Sequence, residues 1–145
     1  MREIKFRGKD IENDNPWRYG SLITYPSGCT SIIGFDKLGN ELNHDVDPDT
    51  VGQFTGLKDK SGKEIYEGDL IKAPSGRIYA VIFSTWKYEE KREFFKVIDI
   101  YEHTGWCISL DGVNPCELLD FEVCQGSVIG NVYDNPKLLK GGSND

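Results

Sequence analysis

The chain has 145 residues, of which 38% are hydrophobic and 28% charged, as expected for one soluble globular domain with a real core. Its formal net charge of -7 repels phosphate backbones at long range, so general nucleic-acid binding is disfavoured. The first residues lack the apolar core of a signal peptide, and no later run is long enough to cross a membrane. We therefore expect a cytoplasmic protein without a membrane partner.

The first third of the chain is typical of paired β-strands. Residues 4–7 alternate apolar and basic side chains, as a half-buried edge strand does, and residues 8–16 indicate a polar loop. Trp17–Tyr25 and Thr30–Phe35 follow as strands joined by a Pro-Ser-Gly turn. We predict an N-terminal β-hairpin lobe over residues 1–50.

One strand of this lobe supplies the candidate interaction residues. Strand alternation places Trp17, Tyr19 and Tyr25 on one face, with Arg18 beside them. Large aromatic side chains either anchor a partner or belong to the core of the hairpin. We take Trp17, Arg18, Tyr19 and Tyr25 as the candidate partner-binding set. Single-stranded nucleic acid stacked on the same aromatic rings is the second hypothesis.

Three aspartates alternate with other residues just before Thr50. An extended backbone would place Asp45, Asp47 and Asp49 on one side, an oxygen-rich arrangement that Mg²⁺ or Ca²⁺ favours. The EF-hand pattern fails because Thr50 stands where that loop requires glycine. The other interpretation makes Asp47 the N-cap of a short helical turn with Pro48 at its first position. The cap is the simpler interpretation, and the cation site stays open.

Residues 51–72 hold the densest run of turn-forming residues. Asp59–Gly62 has Asp first and Gly last, the preference of a type I turn, and predicts a tight hairpin. Glu67–Asp69 predicts a second bend, because Gly68 can take a backbone conformation that a side chain disfavours. These corners and the strands after them predict a small antiparallel β-barrel, SH3-like or similar, over residues 51–139.

Further strands are predicted in the middle of the chain. Residues 78–83 are apolar at every position, which indicates a strand covered on both faces. Residues 87–93 alternate in charge and indicate a solvated hairpin tip, from which residues 93–101 return as a core strand. Residues 103–105 are predicted to turn the chain into a strand at residues 106–110.

The last part of the chain adds one hairpin and one helical turn. Asp111-Gly112 is a strong hairpin signal. Residues 116–123 fit either a short helix or a strand, and their alternation of charged and apolar residues favours the strand. Residues 127–133 predict a final strand and residues 135–139 one helical turn. Residues 140–145 are expected to be a disordered tail.

No residue pattern points to catalysis, a metal or a cofactor. The four cysteines, at positions 29, 107, 116 and 124, are expected as thiols, and none forms the close pairs of a zinc site. Cys107 and His103 are the nearest Cys/His pair, but a glycine between them leaves no defined geometry. Nucleophile-elbow, P-loop and zinc-protease motifs are absent. We therefore predict a protein that is not an enzyme and holds no cofactor.

Three segments carry a family resemblance. They are residues 2–7 (REIKFR), residues 50–59 (TVGQFTGLKD) running on to residues 62–69 (GKEIYEGD), and residues 128–136 (VIGNVYDNP). On these segments the chain resembles the YopX family, a set of small proteins found in bacteriophages and prophages. The resemblance implies a mostly-β fold in one domain over residues 1–145, a phage or prophage origin, and self-assembly. It implies no activity, substrate or catalytic residue.

The expected function is accordingly a binding or assembly module. Small β-barrels expose sheet edges and aromatic patches that pair with other proteins or with their own copies. The preferred partner is therefore a host or phage protein, or a second copy of the chain. The alternative is a small β-barrel that binds single-stranded nucleic acid.

Overall fold

A computed structural model describes residues 2–92 and 97–140, and these residues are mostly β with a few short helices. The strands form two antiparallel sheets, which confirms the predicted mostly-β class. In neither sheet do the first and last strands of the order pair with each other, so the predicted closed barrel is not confirmed. The chain divides into two compact units. The first holds the residues up to 58 together with 64–67, and the second holds 59–63 and the chain from residue 68 onward.

The first unit is built on a six-stranded sheet with the order β4-β3-β2-β1-β5-β6. Its strands are β1 (Phe6–Lys9), β2 (Trp17–Thr24), β3 (Thr30–Phe35), β4 (Glu41–Val46), β5 (Gly52–Lys58) and β6 (Glu64–Tyr66). β3 has the predicted bounds. The predicted edge position of residues 4–7 is wrong, because β1 pairs with β2 on one side and with β5 on the other.

The sequence analysis placed residues from 51 onward outside the N-terminal lobe. The structure instead groups β5 and β6 with the first unit. β5 pairs with β1 through Gly52 and Gln53, and β6 pairs with β5. This pairing assigns both strands to the first unit, although the tip of their hairpin, residues 59–63, clusters with the second.

The aspartates that precede Thr50 take the capping role. Asp47 is the N-cap of a 3₁₀ turn over Pro48–Thr50, and its side chain accepts a hydrogen bond from the Asp49 N–H at 3.0 Å. Asp45 accepts a hydrogen bond from the Ser31 hydroxyl at 2.7 Å. The predicted cap is confirmed. Among the residues that the structure describes, no three His, Cys, Asp or Glu side chains are grouped so that they could hold a metal ion.

The second unit contains a five-stranded sheet with the order β10-β9-β8-β7-β11. Its elements are β7 (Asp69–Lys72), β8 (Ile78–Arg92), β9 (Val97–Ser109), β10 (Pro115–Leu118), α1 (Phe121–Cys124), β11 (Ser127–Asn131) and α2 (Pro136–Lys140). Leu70, Ile71, Val81 and Ile108 are buried at its centre. Ala80 and Val81 are adjacent and both fully buried, so this part of β8 is covered on both faces, as predicted.

β8 and β9 are longer than the sequence predicted. Residues 87–92 continue β8 instead of forming a hairpin tip, and the predicted turn at residues 103–105 lies inside β9. The reason is continuous cross-strand pairing from Ala80 with Ser109 to Arg92 with Val97, which includes Gly105 opposite Ser84. The remainder of the predicted tip and the start of the predicted return strand, residues 93–96, lie outside the described residues.

The ambiguous segment at residues 116–123 splits into two elements. Its first part belongs to β10, so the strand prediction is confirmed there. The strand prediction is wrong for its second part, because Asp120 caps α1 and accepts a hydrogen bond from the Val123 N–H at 2.9 Å. The predicted final strand and helical turn correspond to β11 and α2. The predicted tail is wrong at Lys140, which is the last residue of α2, and its residues 141–145 lie outside the described residues.

The tip of the β5–β6 hairpin is organised by a buried carboxylate. Gly62 donates its N–H to the Asp59 carbonyl at 3.0 Å, as in the predicted turn. The Asp59 side chain, only 7% exposed, accepts hydrogen bonds from the N–H groups of Ser61 at 2.8 Å, Lys63 at 3.0 Å and Val128 at 2.9 Å. Burial acts to raise the pKa of Asp59, but these backbone donors outweigh it and hold the pKa below its ordinary value.

Candidate protein-interaction site

The aromatic side chains predicted to bind a partner are partly used inside the first sheet. The Arg7 guanidinium lies 4.6 Å from the centroid of the Trp17 ring, which is half-buried. Tyr19 packs edge-on against Tyr66 with ring centroids 5.4 Å apart, yet remains 50% exposed. Tyr19 is therefore the more accessible of these two rings.

The other two predicted residues, Arg18 and Tyr25, have different partners. Arg18 donates its Nε hydrogen to Asp10 Oδ2 at 3.0 Å, and Tyr25 lines a polar cleft of about 410 Å³. Trp17, Arg18 and Tyr19 together line a separate cavity of about 200 Å³. The structure therefore brings three of the four predicted residues together, and Tyr25 lies apart from them.

A change of pairing partner along β2 lies between these three residues and Tyr25. β2 pairs with β1 as far as Gly20 and with β3 from Ser21 onward. Gly20 has a φ of 155°, and a Cβ there would lie 2.0 Å from the Ile33 carbonyl oxygen. Only glycine allows the two strands to approach so closely at this point. Alternation along a regular strand, the basis of the predicted patch, does not describe this irregularity.

The charged side chains of the polar cleft beside Tyr25 are paired with one another. Asp10 is 3% exposed, and its Oδ2 lies 3.4 Å from His44 Nδ1. The same carboxylate forms an ion pair with Arg18. A hydrogen bond from the Glu12 N–H is the main cause that lowers the Asp10 pKa, and Arg18 adds to it despite the burial. This carboxylate is therefore ionised and serves as a structural ion partner.

One face of the first sheet combines basic and aromatic side chains. Lys5 Nζ lies 5.3 Å from the Phe54 ring centroid, and Lys9 Nζ lies 5.8 Å from that of Trp17. Arg7 stands between them on the same strand, next to Trp17. Lys5 is also paired with Glu64 at 2.6 Å, so part of this positive charge is compensated within the chain.

The feature best suited to binding lies in the second unit, and its residues were not among the predicted interaction residues. We call it the arm: residues Ser84–Arg92 of β8 and Val97–Gly105 of β9. β7 pairs with β8 only as far as Ala80, and β10 pairs with β9 only from Cys107 onward. In the described part of the chain, the two strands of the arm therefore pair only with each other. Among the described residues, the arm is a two-stranded ribbon whose edges pair with no further strand.

Aromatic rings stack along one face of the arm. The ring centroids of Trp86 and Tyr88 are 5.0 Å apart, and those of Tyr88 and Tyr101 are 4.9 Å apart across the strands. Tyr88 is 42% exposed and Tyr101 41% exposed. On the other face Ile100 is 66% exposed. The arm therefore presents apolar surface on both sides.

The interactions within the arm contribute little to its stability. A two-stranded hairpin is marginally stable in water, since one pair of strands buries little apolar surface. The stacked aromatic pairs contribute about 0.5–1.5 kcal/mol each beyond their burial. These properties are typical of a surface that gains stability when another protein covers it.

The buried cysteines lie in an environment that disfavours their reactive form. Burial raises the pKa values of the thiols of Cys107 and Cys124, which disfavours the nucleophilic thiolate form. His103, near Cys107 in sequence, lies in β9 opposite Trp86. No helix of the described chain is both long and apolar enough to span a membrane.

Comparisons with known proteins place the chain in a family. The family model described as "YopX protein" matches residues 5–140. No curated protein matches the chain. One similar solved structure is the crystal structure of protein EF1440 from Enterococcus faecalis, with 21% identity over 96% of this chain and 99% of that one and a TM-score of 0.47. Because the family model spans nearly its whole length, the chain belongs to the YopX family.

Proposed function

We propose that this chain is a non-enzymatic protein-binding or self-assembling module, an accessory protein of a phage or prophage that acts in the cytoplasm. Its interaction site is the arm. The observation that carries the proposal is the exposed aromatic stack of Tyr88 and Tyr101 on a ribbon whose edges pair with no further described strand. A closed barrel is not required for this function.

General properties of protein interfaces support this assignment. Tyrosine and tryptophan dominate the energetically important positions of interfaces, because they bury large areas with few rotatable bonds. Exposed strand edges supply backbone donors and acceptors that a partner strand can satisfy. The arm offers both within one segment. A covering protein would also offset the weak intrinsic stability of the ribbon.

The experiment compares the wild type with a variant carrying Tyr88→Ser and Tyr101→Ser. We expect the wild type to form oligomers in light scattering, or to retain a partner identified by mass spectrometry from infected cells. Truncating two interface tyrosines costs about 2–4 kcal/mol, so the double variant should bind roughly 30-fold to 1,000-fold more weakly. Tyr25→Ser is the matched control, since Tyr25 is also 42% exposed but lies in the first unit.

The outcomes separate clearly. Loss of assembly in the double variant but not in Tyr25→Ser supports the arm as the interaction site. Equal assembly in all three proteins would assign the interaction to another surface. A wild type that stays monomeric and captures no partner would remove the proposal.

A second candidate function is binding of single-stranded nucleic acid on the first sheet. The specific observation in its favour is that Lys5 and Lys9 lie on the same face as the half-buried ring of Trp17, with Arg7 and Phe54 buried beside them. Stacked bases and paired phosphates would use such a face. Anisotropy with labelled single-stranded DNA and RNA at low salt tests it, with Trp17→Ala as the variant. Absence of binding, or binding insensitive to salt, would exclude this function.

A further inference from the structure

We infer that the occupant of the arm is a second copy of this chain, with the outer edge of β8 paired antiparallel to the same edge of the other copy and a two-fold axis at Tyr88. This inference rests on the proposed role of the arm as the interaction site. It specifies the partner, the edge and the register.

The backbone of β8 determines which residues can pair outward. The Val81 carbonyl accepts a hydrogen bond from the Gly68 N–H at 2.8 Å, on the side away from β9. Backbone groups in a strand alternate sides, and the β8–β9 register has no shift between Ala80 and Arg92. The odd-numbered residues, among them Thr85, Lys87 and Glu89, therefore direct their N–H and C=O groups to the outer edge.

Charge complementarity selects the register. With the axis at Tyr88, Lys87 of each copy stands opposite Glu89 of the other, which gives two ion pairs. Both residues have outward backbone groups, so each pair also exchanges two backbone hydrogen bonds. An axis at Lys87 or at Glu89 would place identical charges opposite each other, which is destabilising. Tyr88 is thus the axis position that satisfies both charges.

The aromatic stack agrees with the same axis. Tyr88 would face Tyr88 of the second copy as a non-hydrogen-bonded pair, where Cα atoms are about 4.5 Å apart. Both aromatic faces would then lie on one side, and the stack of Trp86, Tyr88 and Tyr101 would continue into the second arm. Sliding the register by one residue, so that Lys87 meets Glu90, would put the two aromatic faces on opposite sides.

The edge of β9 is less suitable for the same arrangement. A two-fold axis at Tyr101 would place the charged Glu102 of each copy opposite the apolar Ile100 of the other. An axis at Glu102 would oppose identical charges. The charge pattern therefore distinguishes the two edges of the arm.

A charge exchange tests the register in the full-length protein. Lys87→Glu and Glu89→Lys each replace two attractive pairs by two repulsive ones, and each should weaken the dimer about tenfold or more. Lys87 also faces Glu102 within its own arm, so Lys87→Glu alone could weaken the ribbon. Mixing the two single variants resolves this. In the mixed dimer each Glu faces a Lys of the other copy, so we expect a heterodimer about as stable as the wild-type dimer.

A disulfide tests the axis independently. In a background with the exposed Cys29 and Cys116 changed to serine, Tyr88→Cys should form a covalent dimer under mild oxidation. Glu90→Cys is the matched control, since it lies on the same face and strand but far from its own counterpart across the axis. We expect no covalent dimer from it. Covalent dimers from Tyr101→Cys instead would overturn the assignment to the β8 edge.

Failure of the inference can be distinguished from failure of the proposed function. A dimer that depends on Tyr88 and Tyr101, yet is neither broken by the single charge variants nor formed by mixing them, overturns the register alone. A monomer that binds another protein through the arm overturns the second copy as occupant and leaves the interaction site in place. A monomer without any partner overturns both.

Discussion

Replacing Asp59 with alanine should destabilise the second unit more than any other change to a turn residue considered above. The carboxylate accepts hydrogen bonds from Ser61, Lys63 and Val128, and it is 7% exposed. The bond to Val128 crosses 69 positions of sequence. A hydrogen bond to a charged group contributes about 1.5–3 kcal/mol, while the two tip donors can turn to water at smaller cost. We expect a total loss of about 3 kcal/mol.

Urea unfolding and hydrogen exchange together measure this effect. The unfolding transition is followed by fluorescence, since Trp86 and Trp106 lie in the second unit. Thermal unfolding should shift downward by roughly 6–12 °C for a chain of this size. Exchange at the Val128 N–H should accelerate with the loss of its acceptor. This amide reports the particular bond on which the argument depends.

A matched control lies at the turn between β3 and β4. Asp36 accepts hydrogen bonds from the N–H groups of Leu38 at 2.9 Å and Asn40 at 2.8 Å, in the same local pattern as Asp59. It is exposed, and the hydrogen bonds of its side chain are all local. Asp36→Ala should therefore cost no more than about 1 kcal/mol. Equal losses for the two variants would refute the importance of the Val128 bond.

Two further predictions concern acid and backbone geometry. Because the folded pKa of Asp59 lies below its ordinary value of 3.8, its stabilisation is complete above that pH and is lost as pH falls through the folded pKa. The difference in unfolding free energy between wild type and Asp59→Asn should therefore shrink from about pH 7 to about pH 3, and a constant difference would contradict it. Gly20→Ala should cost more than about 2 kcal/mol in urea unfolding, because its Cβ would meet the Ile33 carbonyl. Gly28→Ala, which has a positive φ but open space around it, should cost only about 1 kcal/mol, and equal losses would refute the steric argument.

Features set by a few neighbouring residues could be predicted from the sequence. The turn at Asp59–Gly62 and the cap at Asp47 both depend on side chains within four positions of the backbone they bond. The bounds of β3 followed from its β-branched residues and flanking turns. These interactions are local, so they operate in the same way whatever surrounds them.

Features that depend on distant pairing could not be predicted. Basic residues in β1 indicated a solvent edge, but Arg7 packs on Trp17 of the neighbouring strand. Gly105 indicated a turn, although it pairs with Ser84 in the middle of a ribbon. A glycine in a strand and one in a turn have the same local signature. Only the identity of the opposite strand distinguishes them.

The candidate site shows the same limit. The sequence identifies Trp86, Tyr88 and Tyr101 as aromatic but does not state whether another strand covers them. The exposure of Tyr88 and Tyr101 follows from the short reach of β7 and β10, whose pairing ends at Ala80 and Cys107. Whether an aromatic side chain is accessible to a partner therefore depends on how far the neighbouring strands extend.

The order in which the chain builds its two units limits how the protein can be divided. The path leaves the first unit after Lys58, returns at Glu64 and leaves again after Glu67. Neither unit is therefore encoded by one continuous segment, and a single cut or a single recombination joint cannot release either one complete. We therefore expect recombination to transfer the coding sequence of the whole chain as one piece. The β8–β9 hairpin is different, because it is continuous from Ile78 to Ser109 and could be exchanged between relatives as one piece.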